Sequence, residues 1–185
     1  METSFEYAAG FFDGEGCVGI YPGSYKGKLA RYTLRTQLAQ NKNSLTDELF
    51  KWFSDTFGGG ISTQISLSGN EKLNWQLNGD NANNFLRIIS PHLVLKKPQA
   101  DIAISWQTKR PKQIHLPSGQ FRFETAPDLV FDAKVCDLMK RCKREILEDV
   151  IADDEMLLTY QSVMAQQTDM VEVVAHVKPL LNIKG

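Results

Sequence analysis

The segment Ala8–Gly16 constrains the fold of this chain more than any other part of the sequence. It combines small residues, an apolar pair and two acids in the order Ala-Ala-Gly-Phe-Phe-Asp-Gly-Glu-Gly. No residue from Tyr7 to Phe12 is charged, which indicates a helix that packs inside the protein. Its first three residues are small enough to let the backbone of a second helix approach closely.

Two carboxylates emerge where this helix is expected to end. Asp13 and Glu15 alternate with Gly14 and Gly16, and glycines let the chain turn after a helix. If two copies of the helix pack side by side, their acidic ends converge. Clustered carboxylates with open coordination positions bind hard divalent cations such as Mg²⁺. The segment therefore predicts both a packing surface and a metal site.

The sequence up to residue 77 alternates helix and strand signals. Helices are predicted over residues 5–12 and 45–57, and strands over residues 17–22, 29–40, 61–67 and 72–77. Pro22-Gly23-Ser24 predicts the turn between the first two strands. Asn43-Ser44 can cap the second helix, and Gly58-Gly59-Gly60 can end it. The predicted order is therefore α-β-β-α-β-β.

Three of the predicted strands carry polar residues rich in Arg, Gln and Asn on one face, because side chains alternate along a strand. This polar set is Arg31, Thr33, Arg35 and Gln37, then Ser62, Gln64 and Ser66, then Lys72, Asn74 and Gln76. In the DNA major groove, Arg reads guanine and Gln or Asn reads adenine. The alternative is a half-solvated antiparallel sheet, whose outer face is polar in any protein. The coincidence of three such strands with the acidic segment favours DNA recognition.

The rest of the sequence predicts further helices. Two are expected over residues 81–90 and 97–109, followed by a loop over residues 110–127. Asp128 is expected to cap a helix that runs to Ile151, and further helices are predicted around residues 156–164 and 170–177. We expect residues 1–127 to form the core and residues 128–185 a helical extension packed on it.

Composition and charge limit the function without choosing it. The chain of 185 residues is 42% hydrophobic, as in ordinary globular proteins, and it has no apolar run of the roughly 20 residues that cross a bilayer, so we expect no membrane partner. Cys17, Cys136 and Cys142 lack paired metal-ligand spacing, which favours a reducing compartment, the cytoplasm or an organelle matrix. A formal net charge of -1 is low for a DNA-binding protein, but the excess of acid lies in residues 121–185.

The segment 8–16 resembles the motif of the LAGLIDADG homing endonucleases. The matching positions are Gly10, Asp13 and Gly16, the acid Glu15, and the apolar residues Phe11 and Phe12. Ala8 stands where the family usually has its first leucine, and Glu15 replaces the second aspartate. The resemblance covers roughly residues 5–110, because the hairpin after the motif and the junction Pro91–Gln99 with its basic residue are also similar.

This resemblance implies an α+β fold, with an αββαββα core, an antiparallel DNA-binding sheet and extra C-terminal helices. It implies a site-specific double-strand DNA endonuclease of a mobile genetic element that depends on Mg²⁺ or Mn²⁺. Since the motif occurs once, we expect a homodimer on a long pseudo-palindromic DNA site. The implied dimer interface is formed by Ala8, Ala9, Gly10, Phe11, Phe12 and Asp13.

The resemblance also implies which residues carry the chemistry. Glu15 and its dimer mate hold the metal ion, with help from the backbone carbonyl of Gly14. Gln40 positions the attacking water, and Lys96 stabilises negative charge at the phosphate, or Lys97 does so if the register is shifted by one. Asp13 is expected to cap or hydrogen-bond at the helix junction. The structural alternatives are an exposed strand end for Gln40 and a solvated helix cap for Lys96.

Two other functions stay open at the level of sequence. The first is a LAGLIDADG protein that has lost cleavage and acts as an RNA maturase or a DNA-binding regulator. The second is an interaction protein that uses the small-residue helix only to dimerise. Salt-sensitive binding to duplex DNA would separate the second from the other readings.

Overall fold

The computed structural model describes residues 3–25, 27–65, 69–111, 113–115 and 121–165. Its helices are α1 (Phe5–Glu15), α2 (Ser44–Phe57), α3 (Gly79–Ile89), α4 (Lys97–Lys109), α5 (Leu129–Arg141), α6 (Leu147–Val150) and α7 (Asp154–Met164), with a 3₁₀ turn at Ser90–His92. Its strands are β1 (Gly16–Tyr25), β2 (Lys28–Asn41), β3 (Gly60–Ile65), β4 (Glu71–Asn78), β5 (Gln113–His115) and β6 (Phe121–Phe123). The order of the first seven elements confirms the predicted αββαββα core.

The first four strands form one antiparallel sheet in the order β1-β2-β4-β3. Leu38 of β2 lies opposite Trp75 of β4, which lies opposite Ile61 of β3. Residues that face each other across an antiparallel ladder share one side of the sheet. Leu38 and Trp75 are fully buried, so this row marks the side on which the core lies.

Aromatic side chains from several elements fill that core. Trp75 packs 5.1 Å from Phe53 of α2 and 5.1 Å from Phe85 of α3, measured between ring centroids. Phe12 of α1 meets Phe85 edge-on at 5.2 Å. All four rings are buried, and burial of large aromatic side chains supplies much of the stability of a core. The cluster therefore fixes α1, whose end carries the two acids of the motif.

The described residues fall into two compact units. The first takes those of Met1–Tyr21 and Thr33–Ile104, and the second takes those of Pro22–Tyr32 and Ser105–Gly185. The division predicted at residue 127 stays a prediction. None of the helices in the described ranges is both long and apolar enough to cross a bilayer.

A buried ion pair organises the second unit. The guanidinium of Arg110 lies 3.5 Å from the carboxylate of Asp132 in α5 and also donates to the carbonyl of Tyr32. The indole of Trp106 donates to Asp132 at 2.8 Å. Burial raises the pKa of the Asp132 carboxyl in spite of the neighbouring arginine. These contacts tie β2, α4 and α5 together within the unit.

The turn predicted at Pro22-Gly23-Ser24 is wrong, because β1 continues through these residues to Tyr25. Proline cannot donate to a sheet ladder, but β1 is an edge strand, so one side of its backbone needs no partner strand. The chain turns later, where Gly27 adopts a φ of 76° that favours glycine.

The loop and the long helix predicted after residue 110 also need correction. Residues 110–127 contain the short hairpin of β5 and β6. Asp128 caps α5 as predicted, by accepting the N–H groups of Val130 and Phe131, but α5 ends at Arg141. Arg141 forms an ion pair with Asp153 at 3.4 Å, whereas twelve residues of continuous helix would separate them by about 18 Å. Residues 170–177 lie outside the described residues.

The glycines after α2 offer a stability test in which two neighbours should behave differently. Gly59 has a φ of 93°, and a Cβ there would lie 2.7 Å from the carbonyl oxygen of Gln76. We expect Gly59→Ala to lower the free energy of unfolding by about 2 kcal/mol, measured by urea denaturation. Gly60 has open space around its Cα, so Gly60→Ala should change that free energy by less than about 0.5 kcal/mol. Equal losses in the two variants would contradict this account of Gly59.

Candidate functional site

Asp13 is a buried carboxylate that binds three backbone N–H groups. It is 9% exposed. Its Oδ2 accepts from Val94 at 2.6 Å and from Leu95 at 3.2 Å, and its Oδ1 accepts from Lys96 at 2.8 Å. These residues, here called the 94–96 turn, immediately precede α4, so the carboxylate also lies at the positive end of that helix. The prediction that Asp13 hydrogen-bonds at the helix junction is confirmed.

Lys96 is bound to the same point of α1 through its side chain. Its ammonium group donates to the backbone carbonyl of Asp13, one residue before Gly14 and two before Glu15. An ammonium has three donors, and only this one hydrogen bond engages it among the described residues. Lys97 points elsewhere, since it forms an ion pair with Asp101 at 2.5 Å. Of the two lysines considered from the sequence, Lys96 is therefore the one that lies beside the acidic end of α1.

Glu15 ends α1 with an exposed carboxylate. In the described part of the chain it has no hydrogen-bond or ion-pair partner. Gly14 is also exposed, with nothing within 4 Å of where a Cβ would lie. No group of three His, Cys, Asp or Glu side chains within the described residues could hold a metal ion. One chain thus offers the metal a hard oxygen ligand of the right chemistry, but only one such carboxylate.

Gln40 lies at the end of β2, opposite Leu73 of β4. It therefore shares the core side of the sheet with Leu73, rather than the side of Arg35 and Gln37. β1 and β2 are neighbours joined by residues 26–27, so the start of β1, which follows Glu15, lies towards the end of β2 that carries Gln40. The half-buried amide is available at the same end of the sheet as the acid.

The residues that were predicted to form a dimer interface lie on two different faces of α1. Ala8, Ala9 and Phe12 are fully buried within the chain and present no surface to a partner. Gly10 is exposed and Phe11 is half-buried. A Cβ at Gly10 would meet nothing within 4 Å, so the chain's own packing does not require a glycine there.

The side of the sheet opposite the core carries polar residues in rows across three strands. Gln37, Gln76 and Gly60 form one row, and Asn41, Lys72 and Gln64 form another. The row between them is Ala39, Asn74 and Ser62. Along β2, Arg31, Thr33, Arg35 and Gln37 are half-buried while the residues between them are buried, although Arg31 belongs to the second unit. Ser66 lies outside the described residues.

Strand β3 differs from the expected half-buried strand, because all six of its residues are exposed. It is the outer strand of the sheet on the side of β4. Ile61 and Ile65 alternate with Ser62 and Gln64 as predicted, but they too are exposed. The polar residues of β3 therefore lie on an open edge of the sheet.

Arg35 on the polar side is held by two residues that sequence reasoning missed. Its Nε donates to Oδ1 of Asn78 at 3.2 Å, and its guanidinium lies 5.1 Å from the ring centroid of Tyr21. Asn78 could have been found from strand pairing, since it lies directly opposite Arg35. Among the described residues, no hydrogen bond engages the two terminal nitrogens of Arg35, so they can bind a ligand.

Comparisons of sequence give no relative for this chain. No protein-family model matches it, and no curated protein is similar to it at the level of sequence.

Comparisons of structure do find solved structures of similar fold. The homing endonuclease I-CvuI, in complex with the I-CreI target in the presence of Mg and with the DNA not cleaved, is similar with a TM-score of 0.55 and 18% identity, over 86% of this chain and 93% of that one. The archaeal intron-encoded homing endonuclease I-Vdi141I, complexed with DNA, is similar with a TM-score of 0.52 and 15% identity, over 86% and 95%. The resemblance found in residues 8–16 is thereby confirmed at the level of the fold. The chain has the fold of the LAGLIDADG homing endonucleases.

Proposed function

We propose that this chain is a single-motif LAGLIDADG homing endonuclease, a homodimer that cuts both strands of a long pseudo-palindromic DNA site with a divalent metal ion. The observation that carries the proposal is the exposed Glu15 at the end of α1, which has no partner among the described residues, with Lys96 bound two residues before it to the carbonyl of Asp13. Two solved structures of similar fold are DNA complexes of homing endonucleases, which supports DNA as the substrate.

The residues at the end of α1 fit the chemistry of phosphodiester hydrolysis. A bound Mg²⁺ would neutralise phosphate charge and acidify water. The Glu15 carboxylate and the carbonyl of Gly14 would hold it, and a second chain would supply a matching pair. The two donors of Lys96 that no described residue engages can stabilise the extra negative charge at the phosphate. The amide of Gln40 can orient water without changing its own charge.

The exposed face of α1 supports dimerisation. Tyr7 is exposed and stacks on Phe11, with 6.3 Å between ring centroids, and Gly10 and Gly14 leave open space one turn apart. Val94 and Leu95, bound to Asp13 at the end of the helix, are 78% and 72% exposed. Apolar side chains exposed together around a helix favour contact with another protein surface. A second copy on this face would also bring two Glu15 carboxylates together, which one chain cannot do.

The polar side of the sheet supports recognition of the DNA major groove. Its rows present amides and hydroxyls at half-buried or exposed positions, and Arg35 presents a fixed guanidinium. The geometry of such groups suits hydrogen bonds to base edges. The proposed DNA-binding residues are Arg31, Thr33, Arg35, Gln37, Ser62, Gln64, Ser66, Lys72, Asn74 and Gln76.

The first test is cleavage of a randomised duplex DNA library in the presence of Mg²⁺, read by sequencing the ends. We expect the wild type to produce discrete ends and Glu15→Gln to lose at least about 100-fold in cleavage rate. Binding of Glu15→Gln to the selected duplex, measured in Ca²⁺, should be unchanged, because the substitution removes a metal ligand and not a base contact.

The matched control is Glu48→Gln, which removes an exposed carboxylate from α2 and should cleave like the wild type. Equal cleavage by Glu15→Gln would remove Glu15 from the mechanism. Duplex binding without cleavage by the wild type would favour the DNA-binding regulator or maturase over the nuclease.

The dimer is tested by placing a large side chain on the open face of α1. Gly10→Leu should fold, because nothing lies within 4 Å of the new Cβ and leucine favours helix. We expect this variant to sediment as a monomer and to lose cleavage, while Glu48→Leu on α2 stays dimeric and active. A dimeric Gly10→Leu variant would show that this face is not the interface.

A further inference from the structure

The 94–96 turn is attached to α1 by four hydrogen bonds that all involve Asp13. Three run from backbone N–H groups to its carboxylate, and the fourth runs from the Lys96 ammonium to its carbonyl. One residue thus binds both the backbone and the side chain of Lys96. Among the described residues, the Lys96 ammonium has no hydrogen-bond partner other than this carbonyl.

We propose that Asp13 is a positioning residue, which sets the location of the Lys96 ammonium relative to Glu15 and is itself not a metal ligand. Three N–H groups occupy both oxygens of its carboxylate, and the side chain is buried, so no oxygen is presented to a metal ion or to DNA. The inference rests on the proposed function, because the role of Lys96 in cleavage is part of that proposal.

The geometry explains why a carboxylate is needed at this position. An amide has one acceptor oxygen, and its nitrogen donates. Asp13→Asn would therefore place an N–H group against at least one N–H of the 94–96 turn and release part of it. The backbone carbonyl of residue 13 would remain, but the lysine that it binds would no longer start from a fixed backbone. The distance from the ammonium to the Glu15 carboxylate would then vary.

The test combines kinetics with a measurement that needs no cleavage. Single-turnover rates at saturating DNA would be measured for Asp13→Asn, Lys96→Ala and the double variant, with DNA affinity in Ca²⁺ and thermal unfolding measured alongside. We expect each single variant to lose about 100-fold in rate and the double variant to be no slower than Lys96→Ala. We also expect acetic anhydride to modify Lys96 about fivefold faster in Asp13→Asn than in the wild type, by mass spectrometry, because release of the 94–96 turn weakens the hydrogen bond of the ammonium to the carbonyl of residue 13.

The matched control is Asp101→Asn, which removes the carboxylate partner of the adjacent Lys97 and leaves the contacts of Lys96. It should keep the wild-type rate and the wild-type acylation of Lys96. Rates that multiply in the double variant, or acylation of Lys96 that does not change in Asp13→Asn, would overturn the inference. If the wild type does not cleave DNA, the proposed function fails, while the acylation result still decides whether Asp13 positions Lys96.

Discussion

The buried carboxylate of Asp13 is the contact on which the rest of the candidate site depends. It connects two segments 81 to 83 residues apart in sequence, the end of α1 and the start of α4. A buried charge is costly unless hydrogen bonds compensate it, and three N–H groups at the positive end of a helix do so here. Because this connection is made, the ammonium of Lys96 lies at the same end of α1 as the carboxylate of Glu15.

The two sides of the sheet have separate roles, and the register of the strands keeps them apart. The core side holds the aromatic cluster that fixes α1 and also carries Gln40, whereas the other side carries the rows of polar residues. A shift of one residue in the pairing of β2 with β4 would exchange these sets. Burial of Leu38 and Trp75 therefore fixes the strand register, which determines both the packing of the core and which residues form the polar surface.

The sequence predicted the elements that have a local cause. The alternation of β2, the capping of α5 by Asp128 and the order of the core all follow from hydrophobic period and from capping residues. The errors concern tertiary context. Pro22 signals a turn, but an edge strand tolerates it. The long helix ends at Arg141, and Arg141 then pairs with Asp153, a contact that no local pattern reveals.

The candidate site was predictable to the extent that one motif contains it. Glu15, Gly14 and Asp13 follow from residues 8–16, and the basic residue follows from the family resemblance. The sequence could not choose between Lys96 and Lys97, since that choice depends on which one reaches the carbonyl of Asp13. The sequence also could not tell which face of α1 is buried, because both faces are apolar. Only the packing shows that Ala8, Ala9 and Phe12 face the core. The contacts of Asn78 and Tyr21 with Arg35 likewise could be seen only in the folded structure.

The single exposed carboxylate that the end of α1 offers has a consequence for how the proposed activity would depend on gene dosage. If the metal site needs a carboxylate from each of two chains, a lone chain is inert, and the amount of competent enzyme at low abundance rises with the square of the protein concentration. Halving expression would then reduce cutting about fourfold. A host that makes few copies of such a protein would be spared most breaks in its own DNA, without any separate inhibitor.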